Sequence, residues 1–165
     1  MPGLLQTSQY VRAIMSAGWT VPPDEITTRL AIRMGRRDVL TRRDPAHLIA
    51  YIGEAALRQR LGDSTIMAEQ CAHLTNMAAL PNIEIRIIPF DCDWHPALEG
   101  ASFLIESATD APVVHIEVRG TGLFLHSPAD VAACRQSATK LSEQAMSPED
   151  SSVVIALAQA GWESA

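Results

Sequence analysis

Apolar positions recur at helical spacing over both ends of this chain and alternate at strand spacing in its middle. Over residues 7–17, Tyr10, Val11 and Ile14 fall on one side of a short helix, which Gly18 closes. Val21-Pro22-Pro23-Asp24 breaks the pattern and starts a longer helix over residues 25–43, with Ile26, Leu30, Met34 and Leu40 as its apolar stripe and Pro45 beyond its end. Residues 47–52 read as a strand and residues 53–58 as a brief helical piece. Gly62-Asp63-Ser64 then caps a helix whose stripe runs through Ile66, Met67, Cys71, Leu74, Met77 and Ala78.

Ile83, Ile85 and Ile87 alternate with Glu84 and Arg86, which predicts a half-buried strand after the Pro81–Asn82 break. Strands follow near 101–106, 113–118 and 123–125, with a turn at Gly120-Thr121-Gly122 before the last. Ser127-Pro128-Ala129-Asp130 and Ser147-Pro148-Glu149-Asp150 each start a helix: a side-chain cap, proline at the first helical position and acids in the first turn. Val131, Cys134, Ala138, Leu141 and Ala145 make the buried stripe of the first. This order predicts an α+β fold. Its mixed four- to five-stranded sheet contains one parallel βαβ crossover, and N-terminal and C-terminal helices pack on it.

At 165 residues the chain is expected to be a single domain, 1–165, long enough to bury a core without disulfides or metals. Net charge is −6, so its overall field does not favour nucleic acid. Three widely spaced cysteines, an odd number, fit a reducing compartment, and no signal-peptide pattern opens the chain. No apolar run reaches the ~20 residues of a membrane helix. The expectation is a cytoplasmic protein that does not enter a membrane.

Chemistry-bearing residues concentrate after the Ile83 strand, in Asp91-Cys92-Asp93-Trp94-His95-Pro96 and Glu99. Cys92 and His95 have C-x-x-H spacing, but one such pair without a second cluster is weak support for a metal, and none is predicted. The bland reading is a solvated connection between strands. In a ligand-contact reading, Trp94 supplies a stacking face and His95 a hydrogen bond. His115 and Glu117 share one sheet face, where a carboxylate can orient an imidazole for acid–base work; a merely solvated face is the commoner outcome. Glu54 stands at a strand end that either faces a crevice or serves a helix N-terminus. Arg29, Arg33, Arg36 and Arg37 form a basic helix face, with Arg42 and Arg43 beyond. Without interleaved aromatics, that face reads as solvated or as an interface rather than as a DNA reader. No GxGxxG, Walker loop, GxSxG or HExxH occurs, and no cofactor is predicted.

Pro2-Gly3-Leu4-Leu5-Gln6-Thr7, Tyr10 and the Arg-rich helix resemble the opening of a domain of unknown function numbered 5753. The likeness continues through Glu54-Ala55-Ala56-Leu57-Arg58, Leu80-Pro81-Asn82-Ile83, Ile88-Pro89-Phe90, His95-Pro96 and Gly100. It ends with Gly122-Leu123-Phe124-Leu125 and Met146-Ser147-Pro148-Glu149. That domain follows Xre-type helix-turn-helix segments in antitoxin-like actinobacterial regulators. The resemblance implies an effector-sensing or partner-binding role and carries no catalytic residues. The helix-turn-helix would lie upstream of Pro2, so the expectation is either a shortened chain or a stand-alone domain without DNA-binding capacity.

Three readings follow. In the first, a non-catalytic module binds a small effector or a partner protein through Glu54, Trp94, His95, Glu99 and Phe124, without direct contact to nucleic acid. In the second, a small cyclase or isomerase in natural-product biosynthesis draws acid–base groups from Glu54, His95, Glu99, His115 or Glu117. The third is homodimerisation through the first two helices or the C-terminal helix.

Overall fold

The computed structural model describes residues 1–18, 21–118 and 121–165. Its elements in chain order are α1 (Ser8–Ala17), α2 (Ile26–Gly35), β1 (Leu48–Gly53), α3 (Ala55–Arg58), α4 (Ser64–Ala78), β2 (Ile83–Ile88), β3 (Ser102–Ile105), β4 (Val113–Val118), β5 (Thr121–Leu125), α5 (Pro128–Gln144) and α6 (Pro148–Glu163). The fold is α+β. The chain divides into two compact units, residues 1–90 with 146–165, and residues 91–145.

The helix starts follow the capping chemistry of the sequence. Thr7, Asp63, Ser127 and Ser147 each accept a hydrogen bond from the backbone N–H three residues on, at 3.2, 2.9, 3.1 and 3.0 Å. Proline occupies the first turn of α5 and of α6. The predicted helix 25–43 is shorter. It ends at Gly35 and tightens into a 3-10 segment, Arg36–Leu40. Leu30 packs into a small cluster with Val11 and Met15 while Leu40 packs into the main core, and the 3-10 segment carries the chain from one to the other.

In the first unit β1 and β2 pair in parallel, Leu48 opposite Ile83 through Gly53 opposite Ile88, with α3 and α4 in the crossover. Ala50, Ile52, Ile83, Ile85 and Ile87 all point to one buried face, where Leu57, Cys71, Leu74 and Ile155 complete the core. Each fully buried isoleucine contributes roughly 1.5–3 kcal/mol. Gln70, on α4, is wholly buried: it accepts from the Thr7 N–H at 2.8 Å and donates to the Leu5 carbonyl at 2.7 Å. It fastens the N-terminal segment to the core.

The strands do not form the one mixed sheet expected from their order. They form a two-stranded parallel sheet, β1-β2, and a three-stranded antiparallel sheet, β3-β4-β5. The physical reason lies at the free edge of β2. The Ile87 carbonyl accepts from the Met146 N–H at 2.8 Å, and the Ile87 N–H donates to Ser151 Oγ at 2.8 Å. The entry to α6 thereby occupies the edge that a third strand would need.

The second unit is a β meander with one helix. β3 and β4 pair antiparallel, Phe103 opposite His115; β4 and β5 likewise, His115 opposite Phe124. Helix α5 packs along β3 and β4, and Val114 and Val131 are the unit's fully buried apolar side chains among the described residues. Cys134, Ala138 and Leu141 of the predicted stripe are half-buried. Gly120, part of the predicted turn, lies outside the described residues, while Thr121 and Gly122 belong to β5 itself.

Candidate functional site

Period two sends Val114 towards α5 and His115 to the opposite face of the sheet. On that face the register sets Phe103, His115 and Phe124 in one cross-strand row. The His115 ring centroid lies 4.7 Å from that of Phe124 and 6.1 Å from that of Phe103, tilted by 39° and 38°. These are aromatic contacts in the offset range. Gly122 makes room for the imidazole: a Cβ there would come within 2.3 Å of His115 Nε2. Phe124 is 56% exposed, so the row is presented to solvent. Glu117 stands on the same face, opposite Gly122. Among the described residues no hydrogen bond joins it to His115, whose ring is held by the two phenylalanines instead.

Trp94, His95 and Glu99 share the loop between β2 and β3. Asp93 Oδ1 accepts from the Trp94 N–H at 2.7 Å, and Cys92 Sγ donates to the Asp93 carbonyl at 3.1 Å. Gln144, at the end of α5, donates from Nε2 to the Trp94 carbonyl at 3.1 Å. Pro96–Glu99 makes one 3-10 turn, stopped by Gly100 at φ 131°, a backbone angle that suits glycine. Trp94 projects outward, 54% exposed, as do Asp91, Asp93 and Glu99. His95 is half-buried, and its Nδ1 and Gln144 Oε1 are shielded from solvent without hydrogen-bond partners among the described residues. Such atoms are costly unless something satisfies them.

Glu54 belongs to the first unit and is engaged on both oxygens. Oε1 accepts from Arg58 Nε at 2.8 Å and Oε2 from the Phe90 N–H at 3.1 Å, tying the end of β1 to the end of β2. The Arg58 guanidinium, with help from that amide and against partial desolvation, holds its carboxyl below the usual carboxylate range.

Three of the four arginines of the basic face have partners within the first unit. Arg29 pairs with Glu25 at 2.7 Å, Arg33 reaches Gln6 Oε1 at 3.2 Å and Arg37 meets His73 Nε2 at 2.9 Å. Burial and Arg37 push the His73 pKa down.

Phe103 is the member of the aromatic row that the sequence did not single out, and Gly122, noted there only for a turn and the family likeness, is what leaves room for the imidazole. The alternation of β3 and β4 could have exposed Phe103, since a hairpin with Ile105 opposite Val113 sets it beside His115.

Fold and surface together define an α+β chain of two compact units, one with a parallel βαβ core and one with an open aromatic sheet face. The family model described as "Domain of unknown function (DUF5753)" matches residues 1–156, and the chain belongs to that family. No curated protein and no solved structure matches it.

Proposed function

We propose that the chain is a non-catalytic binding module, related to the sensing parts of transcription regulators, that recognises an effector or partner through residues 91–145. The observation that carries this reading is the Phe103–His115–Phe124 row. It is an aromatic strip on a sheet face opposite the buried Val114, with Phe124 open to solvent. The second unit exposes Trp94, Leu98, Ile105, Val118, Leu123 and Phe124 while burying only Val114 and Val131 among its described apolar residues. By register Ile105 and Phe124 share the face of His115, and exposed apolar side chains gathered on one face mark an interaction surface. Trp94 and Phe124 are the anchors of the contact, and His95 and Glu99 offer hydrogen bonds beside Trp94. Glu54, tied to Arg58 and Phe90, serves to hold its own unit together. Nucleic acid is not the partner. The unit carries eight carboxylates against three cationic side chains, and three arginines of the basic helix are already paired.

The test is thermal unfolding of the purified protein with the small-molecule extract, and separately the soluble protein fraction, of its host cell. The expected result is a raised Tm or a co-eluting partner, lost in Phe124→Ala, with no compound consumed. No response to either fraction, or consumption of a compound, overturns the reading.

A further inference from the structure

Within the first unit, the N-terminal half of α4 and the last turn of α6 enclose an open groove of about 530 Å³. This lies in the size range of small-molecule sites. Its apolar surface comes from Ala68 and Ala72 on α4 and Trp162 on α6. Two carboxylates line it, Glu69 from one helix and Glu163 from the other, and no lysine, arginine or histidine does. Glu163 accepts a hydrogen bond from the Gln159 amide at 2.8 Å, and neither carboxylate has an ion-pair partner among the described residues.

The indole is not free to swing. Trp162 Nε1 donates to the Leu57 carbonyl at 2.8 Å, and the ring packs against the main core. That fixes an aromatic wall in the groove, and tryptophan is the best cation–π acceptor among side chains. The groove also borders the carbonyl end of α6, the negative pole of the helix dipole. An anion would meet two carboxylates there; a purely apolar ligand would leave both facing it.

We infer that the α4–α6 groove binds a small organic cation, an ammonium or guanidinium on a compact apolar body. The cationic group sits between Glu69 and Glu163, and the body lies over Trp162, Ala68 and Ala72. The site is distinct from the aromatic sheet face of residues 91–145 and stands or falls independently of it.

The experiment follows the Trp162 indole N–H resonance of the full chain in two-dimensional NMR during titration. The probe is benzyltrimethylammonium, with phenylacetate and benzyl alcohol as the anionic and neutral analogues. A saturable shift with the cation alone is expected, weakened by about tenfold in the Glu69→Gln/Glu163→Gln double variant. Both glutamates are exposed, so that variant keeps its fold, which an unchanged Tm verifies. Ala72→Leu fills the groove and abolishes the shift. No response to the cation, an equal response to phenylacetate or benzyl alcohol, or undiminished binding by the double variant overturns the assignment.

Discussion

Gln70→Leu removes a wholly buried side chain that hydrogen-bonds the N-terminal segment to the core. The replacement is close in volume, so the cavity contribution is small. What changes is hydrogen bonding. Gln70 is wholly buried and serves two backbone groups, the Thr7 N–H at 2.8 Å and the Leu5 carbonyl at 2.7 Å. Leu5 is itself wholly buried and Thr7 nearly so, so water does not replace the lost partners without local opening. Each buried group left unsatisfied costs about 1–3 kcal/mol, and the leucine recovers about 1 kcal/mol of apolar transfer. The net expected loss for the two groups is about 1–5 kcal/mol. Urea unfolding monitored by far-UV circular dichroism measures it, and native-state hydrogen exchange locates it. The amides of Thr7 and of the first turn of α1 should lose protection before those of β1 and β2. A change below about 1 kcal/mol, or uniform loss of protection across both sheets, would refute the idea that Gln70 is a local clamp.

Gly122→Ala drives a Cβ into the His115 ring, so the imidazole should rotate out and its ring-current-shifted proton resonances move towards free-histidine positions; unmoved resonances would contradict the close packing. Phe124→Ala should change the urea midpoint little, because the ring is 56% exposed and its contact with His115 is worth only ~1 kcal/mol. His73 titrates below its ordinary value of 6.5 in the folded chain, because burial and Arg37 favour the neutral ring. The unfolded chain therefore takes up the proton first, and stability present above pH 6.5 falls as pH drops through that value towards the folded-state pKa. In His73→Gln the loss between about pH 7 and pH 5 should be smaller, and an identical pH profile would show that His73 is not the group responsible. Burial pushes the Cys71 thiol up to about 11, so iodoacetamide should modify Cys92 and Cys134 in the native protein long before Cys71, as peptide mass spectrometry would show.

Local chemistry was legible residue by residue. Ser/Thr/Asp caps, first-turn prolines and the alternation of Ile83, Ile85 and Ile87 placed most helices and strands, because each signal acts within a few residues. The family likeness was legible for the same reason, being carried by short motifs along the whole chain. The sequence by itself thus determined the elements, their order and the α+β class. Tertiary structure decided how they pair and what they expose. The two sheets are separate because Met146 and Ser151, some sixty residues from Ile87, take the β2 edge. No periodicity in either segment announces that competition. Nothing local in the sequence singles out Gln70, and only the approach of Leu5 and Thr7 makes it a buried clamp. Glu54 read from the sequence either as a crevice carboxylate or as a helix N-terminus, and the fold sets Arg58 on one of its oxygens and the Phe90 N–H on the other. The groove at Trp162 unites two helices far apart in the chain, α4 and α6, and the aromatic row exists because backbone pairing, not sequence spacing, sets Phe103 and Phe124 on either side of His115. Backbone preference is local and readable from composition, whereas burial, edge pairing and charge neighbours depend on which distant segment arrives.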